Sequence, residues 1–332
     1  LSRGLGDVYK RQNYYSSSAG LLFDKNKTEL IKYPAGKSLK NFNIPNGVKS
    51  LDGYSFCNCS NLTSINIPES VTYIGIGAFY LCTNLKSIAI PDSVTKIENI
   101  TFTGCSSLTS ISIPESVTYI GLDAFKDCTS LTSIYIPDSV TLTGLSGTFS
   151  GCTSLTNVKL PDVIYIISTN TFAGCSSLLN IIIPDSVTSI KECAFEGCKS
   201  LTNIAIPESV TKIKTWAFKD CTSLKSIAIN NPDCEISNAK DTIPETAVIY
   251  GYKNSTAQTY AESFNRKFIS LEEIGDISGN GEIDLYDAIE IAKAIMGLRT
   301  FTAEEMIIAD FNKDGTVDLY DAIEIARTLL PK

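Results

Sequence analysis

Apolar positions return along this chain with a period of 23 residues. Prolines mark it at Pro45, Pro68, Pro91, Pro114, Pro137, Pro161, Pro184 and Pro207, with a single step of 24. Each lies 14 residues before a cysteine, except Pro137, which lies 15 before Cys152, so the extra residue falls in TLTGLSGTF. The consensus reads C-x-x-L-x-x-I-x-I-P-x-S-V-T-x-I-x-x-x-A-F-x-x. Within it, L-x-x-I-x-I alternates with period two and predicts a strand; S-V-T-x-I predicts a second, shorter one. Leu62, Ile65 and Ile67 form the inward set of one rung, and Leu85, Ile88 and Ile90 that of the next. Phe56, Phe79, Phe102, Phe125, Phe149, Phe172, Phe195 and Phe218 predict an internal aromatic ladder. The proline closes the strand because it cannot donate to a ladder of backbone hydrogen bonds. A 23-residue unit cannot bury its apolar face alone, so neighbours must stack and share one core. The expected fold is a mostly β solenoid of about eight rungs with two parallel strands each, roughly 40 Å long at about 4.8 Å per rung.

The pattern changes near the carboxy terminus. Gly275–Met296 and Ala309–Leu330 nearly repeat each other at a spacing of 34. Each carries oxygen-bearing side chains at loop positions 1, 3, 5, 9 and 12 and a glycine at 6. The first set is Asp276, Ser278, Asn280, Asp284 and Asp287 with Gly281; the second is Asp310, Asn312, Asp314, Asp318 and Asp321 with Gly315. This alternation suits a hard cation that takes six to eight oxygens, and the carbonyls of Glu282 and Thr316 stand at the seventh position. Two Ca2+ ions are expected. With three carboxylates in the first loop and four in the second, the second site is expected to be tighter. Position 12 is Asp where an EF-hand has Glu, and no amphipathic helix precedes Asp276. A helix should follow each loop, with Ala288, Ile291, Ala292 and Ile295 on its core face, and Thr302 with Glu305 has the spacing of a capping box that starts a short connecting helix.

This duplicated loop–helix unit resembles the type I dockerin, the module that docks proteins onto the cohesin domains of cellulosome-type scaffoldins. The resemblance covers Gly275–Leu330. It implies a small α-helical, EF-hand-like domain whose cohesin contacts fall at loop positions 10, 11 and 18: Leu285, Tyr286 and Lys293, then Leu319, Tyr320 and Arg327. The Leu-Tyr pairs depart from the small hydroxyl residues favoured in the family, which implies a different cohesin specificity. The 23-residue pattern in turn resembles the BspA-like leucine-rich repeats of bacterial surface and secreted proteins. That match runs from about Gly20 to about Leu271, because the flanks read as caps. LLFDKNKTELIKYPAGK reads as an amino-terminal hairpin, and TAVIYGYKNSTAQTYAESFNRKFISL as strand, helix and strand, with Ser255 and Gln258 as a capping box.

The expected organisation is therefore 13–44 amino-terminal cap, 45–230 repeats, 231–273 carboxy-terminal cap and 274–332 dockerin. Residues 1–12 stand apart: Ser2–Gln12 read as an in-frame translation of a transposase-type sequencing adapter, an artefact that implies a gene truncated upstream and a lost signal peptide.

Composition narrows the function. The chain has no histidine, which removes Ser-His-Asp and Cys-His catalysis and His-bearing zinc sites. Nearly every residue is assigned to a rung, a cap or a calcium loop, so no enzyme is expected. From Gly275 onward there are 12 acidic and 5 basic residues, so almost all of the net charge of −8 belongs to the tail. No nucleic-acid partner follows from that balance. No apolar run is long enough for a membrane span. Eight cysteines occupy one repeat position and are expected to be reduced and buried, whereas Cys57, Cys193 and Cys234 fall outside that column and are expected to be more exposed. The outward positions of the first strand are mostly small; Tyr135, Lys159 and Ile182 form the one bulky cluster and the candidate contact patch for a protein or cell-wall ligand.

The reading is a non-catalytic, secreted, cellulosome-associated protein acting in the context of plant polysaccharide degradation. The alternative is the accessory region of a secreted glycoside hydrolase or another polysaccharide-degrading enzyme whose catalytic domain lies upstream. A calcium-triggered sensor is disfavoured, because the contact residues need no helix opening to be exposed.

Overall fold

The computed structural model describes residues 15–141, 145–272, 274–312 and 316–330. The adapter-like segment, part of TLTGLSGTF, and Asp314 with Gly315 lie outside them. The body is a β-solenoid in which the eight proline-marked rungs are extended by cap strands to about ten turns. The strands are short, as in Ser64–Asn66 and Tyr73–Ile74, and two rungs depart from the expected pair: around Ile111 the first strand is reduced to a single bridge from Ala89 to Ser112, and around Ile181 it is absent among the described residues. Neighbouring rungs pair in parallel and in register: Ser133 faces Asn157, Tyr135 faces Lys159, and Tyr119 faces Lys96.

The amino-terminal hairpin is present, with β1 (Tyr15–Ser18), β2 (Leu21–Asp24) and β3 (Glu29–Lys32) antiparallel and β3 joining the first rung in parallel. At the other end, Val248–Gly251, helix α1 (Thr256–Ser263) and Phe268–Ser270 form the expected strand–helix–strand cover. The Ser255 hydroxyl accepts from Gln258 N at 3.2 Å. The Gln258 side chain accepts from Asn254 N rather than from Ser255, one residue earlier than a capping box requires.

Three columns hold the stack together. The phenylalanines are fully buried, with ring centroids 5.3–5.7 Å apart and planes within 19° of parallel. The widest step, Phe125 to Phe149, is the one with the inserted residue. Seven ladder thiols, from Cys82 to Cys221, donate at 3.0–3.3 Å to the carbonyl of the phenylalanine one rung back. The serine of S-V-T forms the third column. Ser70, Ser93, Ser116, Ser139, Ser186 and Ser209 donate at 2.5–2.8 Å to a Val or Ile carbonyl 22 residues earlier. Such bonds matter because a solenoid's interior carbonyls are lost to water and must find donors within the stack.

Burial drives Cys105 and Cys152 away from ionisation, pushing both up to about 12. All eleven cysteines are free. Cys57 and Cys193 are half-buried, but Cys234 is fully buried, contrary to expectation. Thr256 of α1 reaches over it and donates to its carbonyl at 2.6 Å, so the cap helix closes a position that the repeat pattern leaves open.

A further column takes left-handed backbone: Tyr54, Gly77, Ile100, Asp123, Gly147, Asn170, Cys193 and Trp216 have φ between 50° and 63°. Glycine is the unstrained choice there. At Gly77 it is also required by space, since a Cβ would stand 2.6 Å from the Tyr54 ring of the preceding rung.

The tail folds separately, with α2 (Leu285–Ile295), α3 (Ala303–Ala309) and α4 (Leu319–Thr328) around a small core of Ile277, Ala288, Ile291, Ala309, Ala322 and Ile325. Ile295, expected in that core, is 46% exposed. It lies in the last turn of α2, past the part of the helix that the core reaches.

Candidate functional site

Each tail loop closes on the start of its own helix. Asp284 is the N-cap of α2 and accepts from Tyr286 N at 2.7 Å, while Asp287 accepts from Asp284 N at 2.7 Å and from Ser278 N at 2.9 Å. Asp318 and Asp321 repeat this on α4: Asp318 accepts from Tyr320 N at 2.7 Å, and Asp321 from Asp318 N at 2.9 Å and Asn312 N at 3.0 Å. Asp287 and Asp321 are fully buried. Residues read only as loop positions 9 and 12 are thus also a capping box. The D-x-x-D spacing carried that signal in the sequence.

The rest of the first loop gathers around the same point. Asp276 accepts from Asn280 N at 3.0 Å, Gly281 N at 2.8 Å and the Ser278 hydroxyl at 3.2 Å. The Asn280 amide reaches Asp284 at 3.3 Å, and Glu282 N donates to Asn280 Oδ1 at 2.8 Å. Gly281, at φ 87°, makes the turn that allows this. Gly275 joins the halves, since its N–H donates to the Ile308 carbonyl at 2.8 Å and a Cβ on it would stand 2.7 Å from the Phe311 ring. Among the described residues no three carboxylates or thiols sit in ligating range of one point. The donor set mixes carboxylate with amide, hydroxyl and backbone oxygen, a chemistry that fits a hard cation. Asp276, Ser278, Asn280, Asp284 and Asp287 would hold one ion, with the Glu282 carbonyl. Asp310, Asn312, Asp318 and Asp321 would hold the other, with the Thr316 carbonyl; the expected ligand Asp314 lies outside the described residues.

Immediately beyond the N-caps stand the expected partner contacts. Leu285 and Leu319 are 59% and 57% exposed, and Tyr286 and Tyr320 are 69% and 67% exposed. The two halves therefore present near-equal apolar ends. Lys293 and Arg327 sit in the last turns, paired with Glu290 and Glu324. Sequence reasoning missed Arg299, which bonds both Glu290 and Glu305, at 2.6 Å to the latter, and so clasps α2 to the start of α3. Hydrogen bonds from Lys293 first, then Arg299, hold the Glu290 carboxyl below the usual carboxylate range. The capping box of Thr302 and Glu305 forms as expected.

On the repeats, Lys159 lies 5.2 Å over the Tyr135 ring and 3.9 Å from Asp138. Ile182, one rung on, is 85% exposed. The three do share one face, beside a shallow groove lined by Asn157, Lys159, Asp162 and Asn180.

Family models match the chain in two places: the BspA type leucine rich repeat region over residues 33–146 and 143–240, and the dockerin type I domain over residues 274–330. Among solved structures, a leucine-rich repeat protein from Bacteroides ovatus is 28% identical with a TM-score of 0.57, covering 78% of this chain and 75% of its own. One from Eubacterium ventriosum is 32% identical with a TM-score of 0.47, covering 56% and 50%. No curated protein matches the chain. Among the described residues, no helix is long and apolar enough to cross a membrane.

Proposed function

Because the chain belongs to the BspA type leucine-rich repeat family and ends in a type I dockerin domain, we propose that it is a non-catalytic, secreted component of a cellulosome-like complex. Its tail docks on a scaffoldin cohesin, and its repeats offer a surface to a protein or cell-wall ligand during plant polysaccharide breakdown. Type I dockerins bind calcium. Two ions would stiffen the loops and fix the entry angles of α2 and α4. The chain's own residues do the recognition: Leu285 with Tyr286 and Leu319 with Tyr320 enter the cohesin surface, and Lys293 and Arg327 meet its acidic groups.

The observation that carries this reading is the matched exposure of those two Leu-Tyr pairs at the capped ends of α2 and α4. Solvent-exposed Leu and Tyr at equivalent places on a small domain mark a binding face rather than a core. The near-symmetry further implies docking in two orientations related by half a turn. The test is retention of the full chain on immobilised cohesins in calcium. Replacing Leu319 and Tyr320 by Ala should leave binding nearly intact, and replacing all four should abolish it. Total loss from the single-half variant would refute the two-orientation idea. Binding that survives in all four, or in excess chelator, would refute the docking assignment.

A further inference from the structure

The second strand of each rung carries a strip that the first-strand face does not. Tyr73, Lys96 and Tyr119 occupy one outward position on three consecutive rungs, with Lys96 and Tyr119 in register. Tyr73 is 44% exposed and Tyr119 half-buried. Two residues after each tyrosine comes a glycine, Gly75 or Gly121, where a Cβ would stand 2.5–2.6 Å from the backbone N of the preceding rung. No side chain fits there: backbone of the preceding rung fills the place after Tyr73, and the Asn99 side chain shares it after Tyr119. At the same position after Lys96 stands Glu98. The strip thus alternates tyrosine, charged residues, tyrosine.

Acceptors and donors border it. Burial first, then Glu98, Asp52 and Glu29, raises the Tyr73 hydroxyl above its ordinary value, and Glu29 stands two strands back from Tyr73 in register through Ser50. Burial, then Asp52 and Asp24, raises Glu29. The Asn99 side chain lies 3.4 Å from the Tyr119 hydroxyl. Lys96 forms no ion pair among the described residues.

We propose that this strip binds an extended, uncharged polysaccharide. The proposal rests on the reading of the repeats as a ligand surface and names the ligand's chemical class. Two rungs separate the tyrosines by about 10 Å, a separation suited to alternate sugar rings of a straight chain. Sugar faces are apolar enough to lie on tyrosine rings, whose quadrupole favours the polarised C–H groups. Hydroxyls at the rim find acceptors in Asp52 and Glu98 and a donor in Lys96; the Asn99 Oδ1 is already taken by Leu122 N and the Tyr119 hydroxyl. The carboxylates disfavour a polyanion, and the central lysine disfavours a polycation.

The experiment is native affinity electrophoresis of the full chain through gels containing soluble xylan, mixed-linkage β-glucan or hydroxyethylcellulose, with heparin and polylysine gels as charged arms. Retardation is expected in at least one neutral gel. Y73A and Y119A should each weaken it at least five-fold, Y73F should keep most of it, and Y252A in the carboxy-terminal cap, at an exposed tyrosine outside the strip, should leave it unchanged. Thermal melting establishes that each variant is folded; should Y73A fail to fold, Y119A and K96A carry the test. No retardation in any neutral gel, equal retardation of the Y73A/Y119A variant, or retention only by heparin or polylysine overturns the proposal. Cohesin retention is measured on the same samples, so loss of sugar binding with cohesin binding intact separates this inference from the docking reading.

Discussion

The solenoid and the tail solve the same problem, making a small unit stable, by opposite means. A 23-residue rung has no core of its own but borrows one on both sides: each Phe ring stacks on its equivalent in the next turn, while the Cys thiols and Ser hydroxyls bond carbonyls of the turn before. The tail has no repeating neighbours, and among the described residues its fully buried core is six small or medium side chains, with Ile283, Phe301, Ile308, Phe311 and Val317 packed against them. Its order instead comes from buried carboxylates that collect N–H donors at the head of each helix. Repetition gives the first region a core that needs no ion; the proposed calcium sites would make the second depend on one. Structural ion sites supply folding free energy directly when no preformed core exists.

The largest expected contrast is chelation. Excess EDTA should remove the far-UV helical signal of the tail while the solenoid's melting transition stays, and an unchanged helical signal would remove calcium from the tail's fold. Next comes a cut in the aromatic ladder. Phe125→Ala should lower unfolding free energy by about 3–5 kcal/mol in urea titration, leaving cohesin retention untouched.

Alkali separates the regions again. Cys105 and Cys152 have folded-state values of about 12 against an ordinary 9.0. The unfolded chain releases these protons first. Their contribution is therefore complete below pH 9 and is lost as pH climbs towards 12. At pH 10 each should cost the solenoid about 1.4 kcal/mol. The tail has no cysteine and should show no loss from this source. Smallest is Ser116→Ala, which should cost roughly 1 kcal/mol by orphaning the Val94 carbonyl.

Legibility in the sequence follows the same divide. The Phe and Cys columns were plain because identical apolar residues recur at one spacing, and the loop ligands because oxygen side chains alternate around a glycine. What stayed hidden depends on contacts between turns. The serine of S-V-T gives no hint that its hydroxyl reaches back 22 residues until the coil closes. The left-handed column escaped notice because Tyr54, Ile100 and Trp216 hold it as well as Gly77. Cys234 and Ile295 were misplaced for a shared reason: each lies where the periodic element ends and a cap helix or a missing neighbour decides burial. The tyrosine strip was overlooked because its rings stand on the shorter strand of the rung, where only every second turn carries one.

The row of eight ladder sulfurs has a use of its own. Seven of them, from Cys82 to Cys221, share one bond to a phenylalanine carbonyl, so differences among these seven in their reaction with an alkylating reagent measure how often a given turn opens. Mass spectrometry of a labelling time course would then read the coil as a ruler, with Cys82 and Cys221 reporting fraying from either end and Cys128 the rarest event in the middle.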